Sequence, residues 1–280
     1  MSIDARKSKF GFWREKRPRK PLASEKSGQD DSRVRSRAAG ETFPWRTYVD
    51  RFEAGEWRAQ IFRDMIKRDI SAFGPERVVL DIGCGRGFDD SAELQASLAQ
   101  DATHYIGVEP DASVPAPVCC NEFYAQPLEE SAIESESIDV AFAVFVIEHL
   151  SQPEVFFESL HRVLRPGGVF WAATVDARSP FAHASKLMEA SGMKDRYLDR
   201  MFGQREVRHR NYATVYSANT PQRLMELSQK FTSCEVASMH CVGITDKILP
   251  RVLRPLAHVV DRATLNRGWP GTNLVVRIVK

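Results

Sequence analysis

A strand-like run, Val78-Val79-Leu80-Asp81-Ile82, leads directly into Gly83-Cys84-Gly85-Arg86-Gly87. Glycines at alternate positions let the backbone turn sharply and approach a ligand closely, because no Cβ stands in the way. The spacing is not that of a dinucleotide loop, since the third glycine of G-x-G-x-x-G would fall on Phe88. An acid just ahead of the first glycine also suits a ligand with a cationic amine better than a pyrophosphate. Further on, Tyr105-Ile106-Gly107-Val108-Glu109 ends a second strand on a carboxylate. It stands about 20–30 residues after the loop, the distance at which nucleotide-binding α/β folds place the acid that accepts both ribose hydroxyls. His149 follows a third apolar strand, at the edge where open α/β sheets bind ligands. It reads either as a general base or acceptor contact, or as a histidine hydrogen-bonded within its turn.

These groups need a scaffold, and the chain alternates in a way that supplies one. Trp57, Ile61, Phe62, Met65, Ile66, Ile70 and Phe73 recur at helical spacing, ending before Gly74-Pro75. Ahead of them Phe43, Trp45, Tyr48 and Phe52 crowd a short aromatic stretch. Strands are predicted at 77–82, 104–108, 138–147 and 169–175, separated by helical stretches to about residue 100 and from about Pro153 to Leu164. The apolar 138–147 run is the kind buried on both faces of a parallel sheet. Thr220 capping Pro221 predicts a helix over 220–230, followed by strands at 234–239 and 273–279. Strand–helix alternation argues for a parallel α/β sheet with helices on both faces.

The net charge of +2 hides an asymmetry. Residues 1–40 carry 12 Lys and Arg against 5 Asp and Glu, and the rest carries 27 against 32. The first 40 residues have too few apolar side chains to offset the entropy of ordering, so they read as a disordered basic tail. The mildly acidic remainder disfavours nucleic-acid binding by the folded surface, which would need a basic face. The longest apolar run, Val140–Ile147, is far below the ~20 residues of a membrane helix. No secretory signal is visible at the N-terminus. Cys84, Cys119, Cys120, Cys234 and Cys241 contain no C-x-x-C pair, so free thiols in a reducing, cytoplasmic setting are expected, with neither a disulfide framework nor zinc.

Five elements in order carry a resemblance: Asp81–Gly87; Glu109; Ser137-Ile138-Asp139-Val140; Ile147-Glu148-His149-Leu150; and Arg162-Val163-Leu164-Arg165-Pro166-Gly167-Gly168. Over residues 75–176 the chain resembles class I S-adenosylmethionine-dependent methyltransferases, in the group with type 11-like, ubiquinone/menaquinone-type and glycan-associated enzymes. The resemblance implies a Rossmann-like, open, mostly parallel seven-stranded sheet with an antiparallel last strand. It implies S-adenosylmethionine as cofactor, with its methionine end held by Asp81, Gly83, Cys84 (through its backbone) and Gly85, its ribose by Glu109, and its adenine beside Pro127-Leu128-Glu129. Many relatives carry an Asp near Pro127 and this chain has none. Asp139 and the Arg165–Gly168 turn read as structural. Ubiquinone-type relatives hold a metal through Glu-x-x-Glu-His; here Phe145 replaces the first Glu, and no metal is expected.

The resulting parse is a tail (1–40) and one methyltransferase domain (41–280). Within that domain lie a helical cap (41–74), a cofactor core (75–176), an acceptor lid (177–216) and an insertion (243–272). Asp176, Arg178, His209, Tyr212 and Tyr216 are the acceptor-side candidates. The basic run Arg205–Arg210 is either a solvated face or a grip on an anionic sugar or lipid acceptor. In the insertion, Ile248, Leu249, Val252, Leu253, Leu256, Val259 and Val260 fall at helical spacing. That helix packs over the site or rests at a membrane surface as a peripheral contact. The expected reaction is O-methylation of a small-molecule, glycan or lipid-precursor acceptor. Two alternatives stay open: a nucleic-acid methyltransferase tethered by its tail, and a non-catalytic cofactor-binding partner.

Overall fold

The computed structural model describes residues 34–37, 43–193, 196, 214–241 and 254–280. Its strands are β1 (Val34–Arg37), β2 (Val78–Ile82), β3 (His104–Val108), β4 (Glu122–Tyr124), β5 (Ile138–Val144), β6 (Leu164–Val175), β7 (Ser233–Met239) and β8 (Asn273–Val279). They form one sheet in the order β1-β7-β8-β6-β5-β2-β3-β4. The pairs from β4 through β6 are parallel, and β8 runs antiparallel to both β6 and β7. Strands β2 to β8 are the expected seven-stranded, mostly parallel sheet. β1 is an addition: Val34 pairs with Ala237 and Arg37 with Cys234, antiparallel on the outer edge of β7. Within the span 1–40, expected to be unstructured, these four residues therefore cover an otherwise unpaired strand edge.

The helices are α1 (Trp45–Glu53), α2 (Arg58–Ala72), α3 (Ala92–Ala99), α4 (Pro153–Val163), α5 (Pro180–Ala190), α6 (Pro221–Leu227) and α7 (Arg254–Asn266). α1 to α3 pack on one face of the sheet, α4 and α6 on the other. The aromatic stretch before α2 is α1 itself, which buries Trp45, Tyr48, Val49 and Phe52, one stripe at three- and four-residue spacing. Alternate strand residues serve the two faces: Val79 joins the α1–α3 core, whereas Leu80 and Ile82 join the other.

Buried ion pairs tie the helical cap to the sheet. Asp69 of α2 accepts the Trp171 indole N–H at 2.8 Å and the Arg277 Nε–H at 2.8 Å. Glu235 of β7 accepts the Trp45 indole N–H at 2.8 Å and faces Arg277 at 3.4 Å. The predicted strand over 138–147 stops at Val144. Phe145 turns into the left-handed region (φ 56°), its N–H donates to the Ala173 carbonyl at 2.7 Å, and Ile147–His149 form a single 3-10 turn. The strand order reverses at β2, whose neighbours are β3 and β5, so a crevice opens at their carboxyl ends.

Candidate functional site

The glycine loop leaves β2 at that crevice. Gly83 adopts φ 77°, and a Cβ there would stand 2.5 Å from Val146 Cγ2. Its N–H donates to the Val108 carbonyl at 2.7 Å, binding the loop to the end of β3. A Cβ on Gly85 would lie 2.7 Å from Glu109 Oε2, so only glycine lets the loop come this close to that carboxylate. Gly85 N–H donates to Glu109 Oε2 at 3.1 Å, and Asp111 N–H donates to Oε1 at 3.0 Å. Phe88, where a dinucleotide loop would have glycine, is fully buried between Phe62 and Phe142 and anchors the far end of the turn.

Asp81 lies beneath the loop, 3% exposed. Its Oδ2 accepts the Gln95 amide at 2.8 Å and the Tyr105 hydroxyl at 2.8 Å. The same Gln95 amide donates to the Cys84 carbonyl at 2.8 Å, coupling the carboxylate to the loop backbone. Burial pushes the Asp81 carboxyl up to about 6, against the pull of its two hydrogen bonds. Neither Gln95 nor Tyr105 was singled out from the sequence. Gln95 lies within an ordinary helix, and its only sequence mark is an amide on an otherwise apolar stripe with Leu94 and Leu98.

The adenine-side candidates form one 3-10 turn, Leu128–Glu130. Leu128 is buried in the α4-side core, so its backbone edge is the part left for a ligand, and Glu129 is half-buried beside it. His149 is half-buried in the turn after β5, where its N–H donates to the Val146 carbonyl at 3.0 Å. Its neighbour Glu148 is 4% exposed and accepts the Thr174 hydroxyl at 2.6 Å, while the Asn219 amide donates to Thr174 Oγ1 at 2.7 Å. Burial raises the Glu148 carboxyl, opposed by that hydroxyl and by His149 and Arg58 nearby.

The acceptor-side candidates separate. Asp176 is wholly buried and engaged: it accepts Arg178 Nε–H at 3.0 Å, Arg178 Nη2–H at 2.7 Å and the Ser238 hydroxyl at 2.9 Å. This pair fastens the segment after β6 to β7. Tyr216, at φ 55°, donates its N–H to the Glu148 carbonyl at 3.1 Å and lies 4.9 Å beneath the Lys186 ammonium. It is therefore brought to the His149 turn. His209 and Tyr212 lie outside the described residues, as do 243–253 of the insertion; α7 occupies 254–266.

A narrow cleft opens at the end of β5, lined by Phe52, Phe62, Phe145, Arg58, Asp89 and Asn273 among others. Arg58 Nε–H and Nη2–H donate to the two Asp89 oxygens at 2.9 and 2.7 Å, and its guanidinium sits 4.3 Å over the Phe145 ring. One side chain thus joins the cap, the loop and the end of β5, a clasp without any local sequence signal.

The residues at the strand ends fit the cofactor implied by the sequence. The loop admits no side chains at Gly83 and Gly85, and the carboxylates at the ends of β2 and β3 have the chemistry that suits an ammonium and a diol. Among the described residues, no group of three or more His, Cys, Asp or Glu side chains is placed to hold a metal ion. No helix of the described residues is long and apolar enough to cross a membrane.

Comparison with known proteins identifies the family. The family described as "Methyltransferase domain" matches residues 54–228, more than half of the chain. The ubiquinone biosynthesis O-methyltransferase of Rhizobium etli is 31% identical over 102 residues, covering 35% of this chain and 41% of that protein. The mitochondrial ubiquinone biosynthesis O-methyltransferase of Mus musculus is 28% identical over 137 residues, covering 42% of this chain and 35% of its own. The chain thus matches about two fifths of the length of these relatives. Among solved structures, a chain of the Haloferax volcanii complex between the Trm112 methyltransferase activator and a methyltransferase shares the fold. Its TM-score is 0.50 at 15% identity, over 83% of this chain and 96% of that one.

Proposed function

The chain belongs to the methyltransferase-domain family, and we propose that it transfers a methyl group from S-adenosylmethionine to an oxygen of a small-molecule acceptor. The observation that carries this reading is the convergence of Asp81, the Gly83–Gly85 turn and Glu109 at the one place where the strand order reverses. The ubiquinone biosynthesis O-methyltransferases among its relatives support oxygen as the methylated atom. Glycan and lipid-precursor acceptors are the finer options within the same reading.

When bound, the cofactor supplies a methyl group already activated on a sulfonium, so the protein's task is alignment and exclusion of water. Asp81, mostly ionised at neutral pH with its carboxyl at about 6, offers a buried negative charge to the ammonium end. Glu109 presents a carboxylate, pre-oriented by two backbone N–H groups, to the ribose diol. The Leu128–Glu129 turn borders the adenine. Phe52, Phe62 and Phe145 line an apolar cleft at the end of β5. His149 takes the proton of the acceptor hydroxyl, with Tyr216 beside its turn and Asp176, bonded to Arg178 and Ser238, fastening the end of β6 to β7.

Calorimetry of the full chain with S-adenosylmethionine and S-adenosylhomocysteine tests the cofactor half, and an intact protein that binds neither ends the proposal. Mass spectrometry of small-molecule, glycan and lipid extracts incubated with the protein and S-adenosylmethionine identifies the acceptor. A product heavier by one methyl on nitrogen or carbon would overturn the O-methyl assignment.

A further inference from the structure

Three cysteine thiols unused by methyl transfer gather beside the cofactor loop. Cys84 stands between Gly83 and Gly85 with its side chain buried. Cys119 and Cys120 are half-buried on the turn before β4, where Cys120 N–H donates to the Pro117 carbonyl at 3.1 Å. Gly107 of β3 lies between the two segments: a Cβ built on it would stand 2.7 Å from Cys84 Sγ and 2.7 Å from Cys120 Sγ. Both sulfurs therefore converge on the space that a side chain at 107 would fill. All three cysteines are free.

We propose that Cys120 and Cys84 form an oxidative modification site, at which hydrogen peroxide converts the thiol pair into a disulfide that pulls the glycine loop out of its cofactor-holding geometry. The site is asymmetric in the way such chemistry requires. Cys120 is the more accessible of the two and the facing Cys84 thiol holds it below the ordinary thiol value, whereas Cys120 and burial push the Cys84 thiol up. The Cys120 thiolate attacks one peroxide oxygen; the S–O bond forms, the O–O bond breaks, and hydroxide leaves, taking up the proton that Cys120 had released. The Cys84 sulfur then attacks the sulfenic sulfur. The S–S bond forms, the S–OH bond breaks, and the departing hydroxide takes the Cys84 proton. Two thiols lose two electrons and one peroxide becomes two waters.

A disulfide holds its sulfurs at about 2 Å, much closer than two separate thiols can stand. Shortening that separation drags Cys84, whose carbonyl anchors Gln95 at 2.8 Å and whose neighbour Gly85 anchors Glu109 at 3.1 Å. The strain therefore reaches both carboxylates. This consequence rests on the reading of the loop as the cofactor site.

The test treats the full chain with hydrogen peroxide, maps disulfides by non-reducing peptide mass spectrometry, and measures the Kd for S-adenosylhomocysteine before oxidation, after it, and after dithiothreitol. The expected result is a Cys84–Cys120 linked peptide and a Kd raised roughly tenfold or more, restored by reduction. Cys120→Ser should keep its reduced-state Kd through oxidation, and Cys119→Ser should behave as the unaltered chain. A Cys119–Cys120 link instead, a Cys84–Cys120 link that leaves Kd unchanged, or a Cys120→Ser variant that is equally sensitive would each overturn the proposal. A reduced protein that binds no S-adenosylhomocysteine would fail the cofactor reading separately, and the linked peptide would still decide the thiol chemistry.

Discussion

Asp81→Asn removes a buried negative charge while keeping the shape of the side chain and an oxygen to accept from Gln95 and Tyr105. The native carboxyl sits at about 6 against an ordinary 3.8, so the folded state holds its proton more tightly than the unfolded chain does. The site then binds more protons folded than unfolded between those two values, and stability falls as pH rises through them. The full gap corresponds to about 3 kcal/mol, an upper bound for what the ionised carboxylate costs at neutral pH. The Asn variant has no such dependence. Urea unfolding of both proteins should show the variant's advantage growing by about 2 kcal/mol from about pH 4.5 to about pH 7.5, with equal m-values. Other titrating groups cancel in the difference. Cofactor affinity should move the opposite way: loss of the charge facing the ammonium should raise Kd about tenfold or more at neutral pH. Binding to the unaltered chain should weaken as pH falls through about 6, while binding to the variant stays flat. A stability difference that does not change with pH would refute the burial argument, and an unchanged Kd would refute the charge role.

Glu109→Gln leaves a side chain that accepts at one oxygen only, so either the Gly85 or the Asp111 contact and part of the ribose grip are lost. Calorimetry should show Kd for S-adenosylhomocysteine rising about tenfold, and an unaltered Kd would remove Glu109 from the site. His149→Ala should leave that Kd unchanged and lower kcat by roughly a hundredfold or more once an acceptor is in hand; full turnover would refute its role as base. Arg277→Met strands Asp69 and Glu235 as buried, unpaired carboxylates, with a loss of about 3–5 kcal/mol in urea unfolding. A loss below about 1 kcal/mol would show that the Trp171 and Trp45 indoles alone suffice to hold the two acids.

The glycine loop is readable because its demands are local. Gly83 needs a left-handed backbone, Gly85 needs absence of a Cβ, and each requirement leaves a mark at its own position. The same holds for α2, whose buried stripe repeats within one helix, and for Thr220, whose hydroxyl caps Arg223 N–H at 3.2 Å. The acceptor side was less readable. Asp176 and Arg178 are two residues apart and resemble a pair of ligand hands, yet Ser238, 62 residues later, completes an internal knot around that carboxylate. Similarly, the strand over 138–147 has no residue type that announces its end at Val144; the Ala173 carbonyl on the neighbouring strand turns Phe145 aside.

Periodicity, turn chemistry and charge at strand ends act within a few residues, and they specified the parallel sheet, the loop, and the carboxylates Asp81 and Glu109. Which groups face those carboxylates depends on strand order, which no local pattern encodes. Gln95 and Tyr105 reach Asp81 because α3 packs across β2 and β3 stands beside it. Arg58 clasps Asp89 because the cap lies on that same face. β1, from a segment whose composition argues against order, finds its place only because β7 has a free edge some two hundred residues away in the chain. Adjacency across a folded sheet follows from burying both of its faces at once, and only the assembled structure does that.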